Sequence, residues 1–387
     1  MWEETVLRPF FKKFDACPFL VKTPRGSYSI GEGEPKFSIT LHKDIPLKNL
    51  VASTSLALGE AYMEGSLEIE GDLYYALDHF LGQLGKFSTD THLLKKLMFT
   101  SSTKANQKKE VQSHYDIGND FYKLWLDDTM SYSCGYFLHP EDSLYQAQVQ
   151  KVDYILQKLH LKEGMTLLDI GCGWGFLLIQ AARKYKVHGL GITLSQQQYE
   201  TAREKIKEEG LSDCLQVELM DYRDLSRIKR KFHRVVSVGM LEHVGRDNYT
   251  LFLKSVSKAL RKGGIFLLHF ISSLKEHPGD PWIKKYIFPG GVIPSLREIT
   301  HICGEENFHI LDVENLRLHY NKTLLCWKDN FQTHRKEIAA QQGERFTRMW
   351  ELYLCSCAAT FHNGIIDLHQ ILMTKGINNT LPMVRWY

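Results

Sequence analysis

The chain has 387 residues, 43% hydrophobic and 24% charged, with a formal charge of +3. That composition is globular with room for two cores, and the small net charge gives no reason to expect nucleic acid as a partner. No run approaches the ~18 apolar residues that a membrane span needs, and the amino terminus, broken by charges and Pro9, lacks the apolar core of a secretory signal. The eight cysteines are scattered without paired zinc spacing, so a reducing cytoplasm is the simplest compartment.

Residues 1–100 read as a small α+β domain. Turn signals at Thr23-Pro24-Arg25-Gly26 and Gly31 to Pro35 frame short strands at Ser27 to Ile30 and Lys36 to Leu41. Leu47 to Met63 reads as helix and Gly65 to Gly71 as a further strand. The polar stretch 101–110 suits an exposed linker, which makes 111–387 the second domain.

That second domain carries the most informative segment, Leu167 to Phe176, in which an apolar strand runs into alternating glycines at Gly171, Gly173 and Gly175. A turn without side chains lets the backbone approach a ligand closely. The apolar residues from Leu177 onward, ending in Arg183 and Lys184, read as the following helix. Glycines at every second residue, with Asp169 two before the first, fit the S-adenosylmethionine methyltransferase pattern better than the dinucleotide fingerprint. Strands at His188 to Ile192, Gln216 to Met220, Arg234 to Val238 and Ile265 to Phe270 alternate with helices, predicting a mainly parallel, Rossmann-like α/β sheet. The carboxyl ends of those strands put the glycine turn, Thr193, Asp221 and Gly239 to His243 on one rim. Thr193 and Gln198 offer polar groups for a ribose. Asp221 and Tyr222 suit an adenine, with a helix cap as the other reading of Asp221.

Five motifs in order then carry a family resemblance. They are VQSHYDIGNDFYKLWLDDTMSYSCGYF at Val111 to Phe137, MLEHVG at Met240 to Gly245, WIKKYIFPGG at Trp282 to Gly291, ENLRLHY at Glu314 to Tyr320, and RMWELYL at Arg348 to Leu354. Together with the glycine turn they resemble the cyclopropane fatty acid synthase family. GEAYMEG at Gly59 to Gly65 resembles the smaller domain of full-length bacterial members. Phe176 departs from the glycine often found there, and His362-Asn363-Gly364 lacks a more basic pattern of some relatives.

The resemblance implies methylene transfer from S-adenosylmethionine to a cis double bond in the acyl chain of a membrane phospholipid. An alkene is a weak nucleophile, so the site must hold it against the sulfonium methyl, accept one proton and exclude water that would trap the cation. Aromatic faces stabilise such a cation without attacking it. Bicarbonate is the implied base, held by Cys134, Glu242, His269, Ile271 (through its amide) and Tyr320. Cys134 is either a weak donor or packing. Tyr115, Tyr132 and Ser133 are expected to close over the cofactor opposite Gly171, Gly173, Thr193 and Gln198.

A mid-chain alkene lies deep in the bilayer, and exposing about eight methylenes to water would cost roughly 6 kcal/mol, so a tunnel is required. Trp282 to Pro294 is expected to shape it, with Lys284 and Lys285 near phosphate. Arg227, Lys229, Arg230, Lys231 and Arg234 are either a headgroup patch or a solvated connection. The expected location is cytoplasmic, at the inner face of the cell membrane as a peripheral protein. A homodimer is left open.

Overall fold

The computed structural model describes residues 7–83 and 117–387. The expected linker 101–110 and Tyr115 therefore lie outside the described residues. By compactness the chain forms two units, one of Met1–Met98, Asp280–Ile287 and Leu324–Ile365, the other of Phe99–Gly279, Phe288–Thr323 and Ile366–Tyr387. The expected boundary at residue 100 lies outside the described residues. Two later stretches group with the amino-terminal residues and interrupt the span 111–387.

The first unit holds a four-stranded sheet of β1 (Phe19–Thr23), β2 (Gly26–Ile30), β3 (Ser38–Leu41) and β4 (Leu67–Glu70) in the order β2-β1-β3-β4. Pro24 and Arg25 make the two-residue turn of the β1–β2 hairpin, in which Thr23 pairs with Gly26. Phe19 and Phe37 stack with ring centroids 5.1 Å apart. The helix expected over 47–63 is two helices, Leu47–Ala52 and Thr54–Met63. Ser53 between them is extended, and its hydroxyl accepts the Leu56 amide at 3.3 Å, so a new N-cap outcompetes continuation. Trp282, on the helix Pro281–Tyr286, is buried against Gly59 and donates its indole N–H to Met63 Sδ at 3.2 Å. Lys285, expected near phosphate, is paired with Glu60 at 2.6 Å. His362 and Asn363, at the end of the helix Glu344–His362, both bond to Asp78.

The second unit is built on seven strands: β5 (Thr166–Ile170), β6 (His188–Thr193), β7 (Leu215–Leu219), β8 (Phe232–Val238), β9 (Leu260–Ser272), β10 (Phe308–Asn315) and β11 (Asp367–Lys375). Their order is β10-β11-β9-β8-β5-β6-β7. The pairs β5–β6, β6–β7, β5–β8 and β8–β9 are parallel, as expected of a Rossmann-like sheet. β11 is inserted antiparallel between β9 and β10, an extension beyond the strands expected from the sequence. The chain runs outward from β5 to β7 and restarts at β8 on the other side of β5, which makes the carboxyl end of β5 the switch point where such folds bind ligands.

Alternation along the strands decides which helix covers which face. Leu168, Ile170, Phe266, Leu268 and Phe270 share a core with Phe252 and Val256 of the helix Tyr249–Ala259 and with Ile299 of the helix Leu296–Glu305. Leu167, Ile265, Leu267 and Leu372 pack on the other face with Val152, Ile155 and Leu156 of the helix Leu144–Lys158. Asp169, His269 and Gln370 fall in the same alternation as this second set, so the face carrying that helix also carries polar groups.

Gly191 on β6 is needed for close approach. A Cβ there would lie 2.7 Å from Cys172 Sγ, and Cys172 sits in the glycine turn after β5. Gly191→Ala is therefore expected to lower stability by about 1–3 kcal/mol. Adding Cys172→Ala should recover part of that loss in urea unfolding, and no recovery would contradict the packing assigned here.

Candidate functional site

The turn after β5 is held by its own backbone. Gly171, Gly173 and Gly175 have φ of +84°, +54° and +87°, and the amides of Gly171 and Cys172 donate to Ile192 O at 2.9 and 3.1 Å. A Cβ on Gly173 would meet nothing within 4 Å, so the backbone there borders open space. That space is a cavity of about 140 Å³ at the carboxyl ends of β5 to β8. It is lined by Tyr132, Ser133, Asp169, Gly171, Gly173, Thr193, Gln198, Asp221 and Tyr222 among others, which brings together nine of the residues expected to hold the cofactor.

Each lining residue has a local cause. Ser195 caps the helix Gln196–Glu208 by accepting the Gln198 amide, and Thr193 donates to Gln198 Oε1 at 2.8 Å, so the β6 end and the helix start form one polar wall. Tyr132 packs edge-on to Trp125 at 5.3 Å and against Tyr122 at 5.6 Å, while Tyr122 meets Trp174 of the glycine turn at 5.5 Å. Phe176 lines the same cavity at the start of the helix Phe176–Tyr185.

Two expected contacts are corrected. Gly175 is not in the lining; its would-be Cβ lies 3.2 Å from Ala202 Cβ, so it lets two helices approach. Asp221 caps the short helix Tyr222–Arg227 through the Arg223 amide, and both its carboxylate oxygens also accept from the Arg223 guanidinium at 2.8 and 2.7 Å. The cap reading holds, and the carboxylate is committed to Arg223 while its residue still lines the cavity.

Sequence reasoning missed Lys151. It is buried on the helix Leu144–Lys158, lines the cavity and donates to Ser133 Oγ at 2.9 Å. Because an ammonium only donates, Ser133 must use its own proton elsewhere, which leaves its O–H available to a ligand. Burial pulls Lys151 down to about 8 and pushes the Asp169 carboxyl up to about 7, each opposed by attraction to the other. The only signal in the sequence was helical spacing, which sets Lys151 and Lys158 on the stripe of Ile155.

The five residues expected around bicarbonate lie outside this lining, although Met240 and His243, which flank Glu242, belong to it. Glu242 sits in a short 3₁₀ turn after β8, and its Oε1 accepts the Ile271 amide at 2.6 Å. The Ile271 amide thus orients Glu242 here and is not free for an anion. Glu242 Oε2 and His269 Nε2 are buried polar atoms without a hydrogen-bond partner. Burial raises Glu242 to about 7 and lowers His269 to about 3, with Lys151 and Lys158 adding to the latter. His269 and Ile271 point to one face of β9, about 7 Å apart. Cys134 is fully buried, its Sγ 3.1 Å from Gly135 O, and burial pushes the thiol far up, which suits packing and not a nucleophile. Tyr320 lies half-buried in the helix Arg317–Thr333. Arg234, expected in either a headgroup patch or a solvated connection, is buried and donates to the carbonyls of Leu159, His233 and His160.

The chain is similar to several known proteins. Residues 102–371 match the family described as mycolic acid cyclopropane synthetase, and residues 6–92 match a domain family of unknown function. A probable fatty acid methyltransferase of Pseudomonas putida is 40% identical over 348 residues, 88% of each chain. The cyclopropane-fatty-acyl-phospholipid synthase of Escherichia coli K12 is 40% identical over 344 residues, 87% of this chain and 88% of its own. Among solved structures, the mycolic acid cyclopropane synthase CmaA1 complexed with SAH and CTAB superposes with a TM-score of 0.65 at 34% identity, covering 69% of this chain and 98% of that one.

The buried Glu242 has a consequence for stability. Burial raises its folded pKa to about 7 from the ordinary 4.5, so between these the unfolded chain binds fewer protons and stability falls as pH rises. Glu242→Gln, neutral throughout, should match the wild type near pH 4.5 and exceed it by up to about 3 kcal/mol at pH 8. Urea unfolding in carbon-dioxide-free buffer checks this; a difference that does not change with pH would contradict it.

Proposed function

The chain belongs to the mycolic acid cyclopropane synthetase family, and on that premise we propose that it is a cyclopropane-fatty-acyl-phospholipid synthase working at the inner face of the cell membrane. Its reaction converts a cis double bond of an unsaturated phospholipid acyl chain into a cyclopropane ring. When bound, S-adenosylmethionine supplies the one-carbon unit as an electrophilic methyl and bicarbonate supplies the base for the departing proton.

The residues fit the first group. Backbone of the glycine turn borders open space, Ser133 has its hydroxyl proton to give, and Thr193 with Gln198 forms a buried polar wall. Tyr132 presents an aromatic ring to the same cavity, where it can stabilise positive charge without adding to it.

The observation that carries the reading of the base is the pair of fully buried atoms without partners, Glu242 Oε2 and His269 Nε2. Buried polar groups are ordinarily satisfied, so two such atoms near one strand end call for a small polar ligand. Ile271 fixes Glu242 through its amide, leaving one carboxylate oxygen to accept from that ligand. His269, kept neutral by burial, can donate to it, and Tyr320 is proposed as a second donor. Cys134 fills space beside Leu316 at the start of the Tyr320 helix. The surrounding apolar core excludes water from the step in which the proton leaves.

No helix of the described residues is long and apolar enough to cross a membrane, so lipid access is proposed to be peripheral. Leu274, 80% exposed, is an apolar side chain available for such contact. A homodimer is compatible with this reading.

Purified protein with S-adenosylmethionine and vesicles of unsaturated phospholipid should yield acyl chains heavier by one CH₂ that have lost their double bond, read by mass spectrometry. A methyl-branched chain that keeps its double bond would contradict ring closure. Glu242→Gln and Tyr320→Phe should lower turnover much more than cofactor binding, and depleting bicarbonate should slow the wild type. Equal loss of turnover and binding would give those residues a structural role instead.

A further inference from the structure

Three polar side chains form a row across the sheet behind the proposed base site. In register, Glu314 of β10 lies beside Gln370 of β11, and Gln370 lies beside His269 of β9. Lys158, with its side chain 1% exposed, comes down on this row from the last turn of the helix Leu144–Lys158. Its ammonium donates to Glu314 Oε2 and, at 2.9 Å, to Gln370 Oε1. Asp312 lies at 4.0 Å, and the Tyr154 and Tyr387 rings face the ammonium at 4.2 and 5.2 Å. On its other side the Gln370 amide nitrogen is 3.1 Å from His269 Nδ1.

We infer that Lys158 and Gln370 are positioning residues that fix His269 as its Nε2–H tautomer, so that the buried ring offers a hydrogen-bond donor to the base site. Each link follows from donor and acceptor chemistry. Lysine has only donors, so the Gln370 atom that faces it is the carbonyl oxygen. The opposite Gln370 atom is then the NH₂ group, which only donates, so His269 Nδ1 must accept and carries no proton. A neutral imidazole with a bare Nδ1 has its proton on Nε2. That Nε2 is the buried atom without a partner in the protein. Glu314, Asp312 and the two tyrosine faces hold Lys158 cationic in spite of its burial, which keeps the amide of Gln370 from reversing.

The inference rests on the proposed function in one respect, that the Nε2–H meets the oxyanion of the base. Its direct test does not. In full-length protein with ¹⁵N-labelled histidine, NMR of the imidazole nitrogens at neutral pH, assigned by the resonance lost in His269→Gln, should find His269 neutral with Nδ1 unprotonated. Gln370→Glu, whose oxygens accept, should move the proton to Nδ1. Turnover should then fall about 10- to 100-fold with the KM for S-adenosylmethionine unchanged. Lys158→Met should leave both tautomers populated, and serves as the second variant if Gln370→Glu does not fold. A wild-type ring protonated at Nδ1 or at both nitrogens, or a tautomer indifferent to Gln370→Glu, would overturn the inference. The expected tautomers with turnover insensitive to Gln370→Glu would support the relay and count against the proposed role of His269 at the base.

Discussion

Burying a lysine is costly unless its charge is met, and this catalytic unit buries two on one stripe of one helix. Lys151 and Lys158 are seven residues apart, two turns, so both face the sheet beside Val152, Ile155 and Leu156. The need to satisfy them organises both halves of the site. Lys151 holds Ser133 on the cofactor side and is balanced by Asp169 and Asp127. Lys158 holds Gln370 on the side of the proposed base and is balanced by Glu314 and Asp312. One helix thus supplies a buried cation to both Ser133 and Gln370.

The same burial sets the protonation pattern. His269 and His243 are kept neutral, down at about 3 and about 4, while Glu242 and Asp169 are raised to about 7. Two neutral imidazoles and two carboxyls that ionise only near neutrality add little fixed charge of their own beside the buried lysines. On the proposed reading, such a site would accept a proton through a small bound anion while presenting few nucleophiles of its own. Burial likewise pushes the Cys134 thiol far up, so it stays protonated and inert.

The sheet and its rim were legible in the sequence because glycine turns and apolar strands are local signals. Gly171 and Gly173 stand where the spacing put them, and Thr193, Gln198, Asp221 and Tyr222 share one cavity though they are dispersed along the chain. The partner of each carboxylate was not legible. Asp221 is claimed by Arg223 two residues on, and the Ile271 amide is claimed by Glu242, both outcomes of side-chain reach that periodicity does not encode. Gln370 was invisible for a different reason: its meaning depends on the register of β11, an antiparallel strand inserted after a long excursion of the chain. The split of 47–63 turns on the Ser53 hydroxyl, a local cap that the continuous apolar run around it hides from periodicity.

The proposed chemistry requires a small anion lying between a carboxylate oxygen and an imidazole N–H in a dry pocket. A high-resolution crystal structure grown with bicarbonate and the demethylated cofactor tests this most directly. It should contain planar, trigonal density within hydrogen-bond distance of both Glu242 Oε2 and His269 Nε2. Density for those two atoms bonded only to water or to other protein groups, with the cofactor in place, would contradict it.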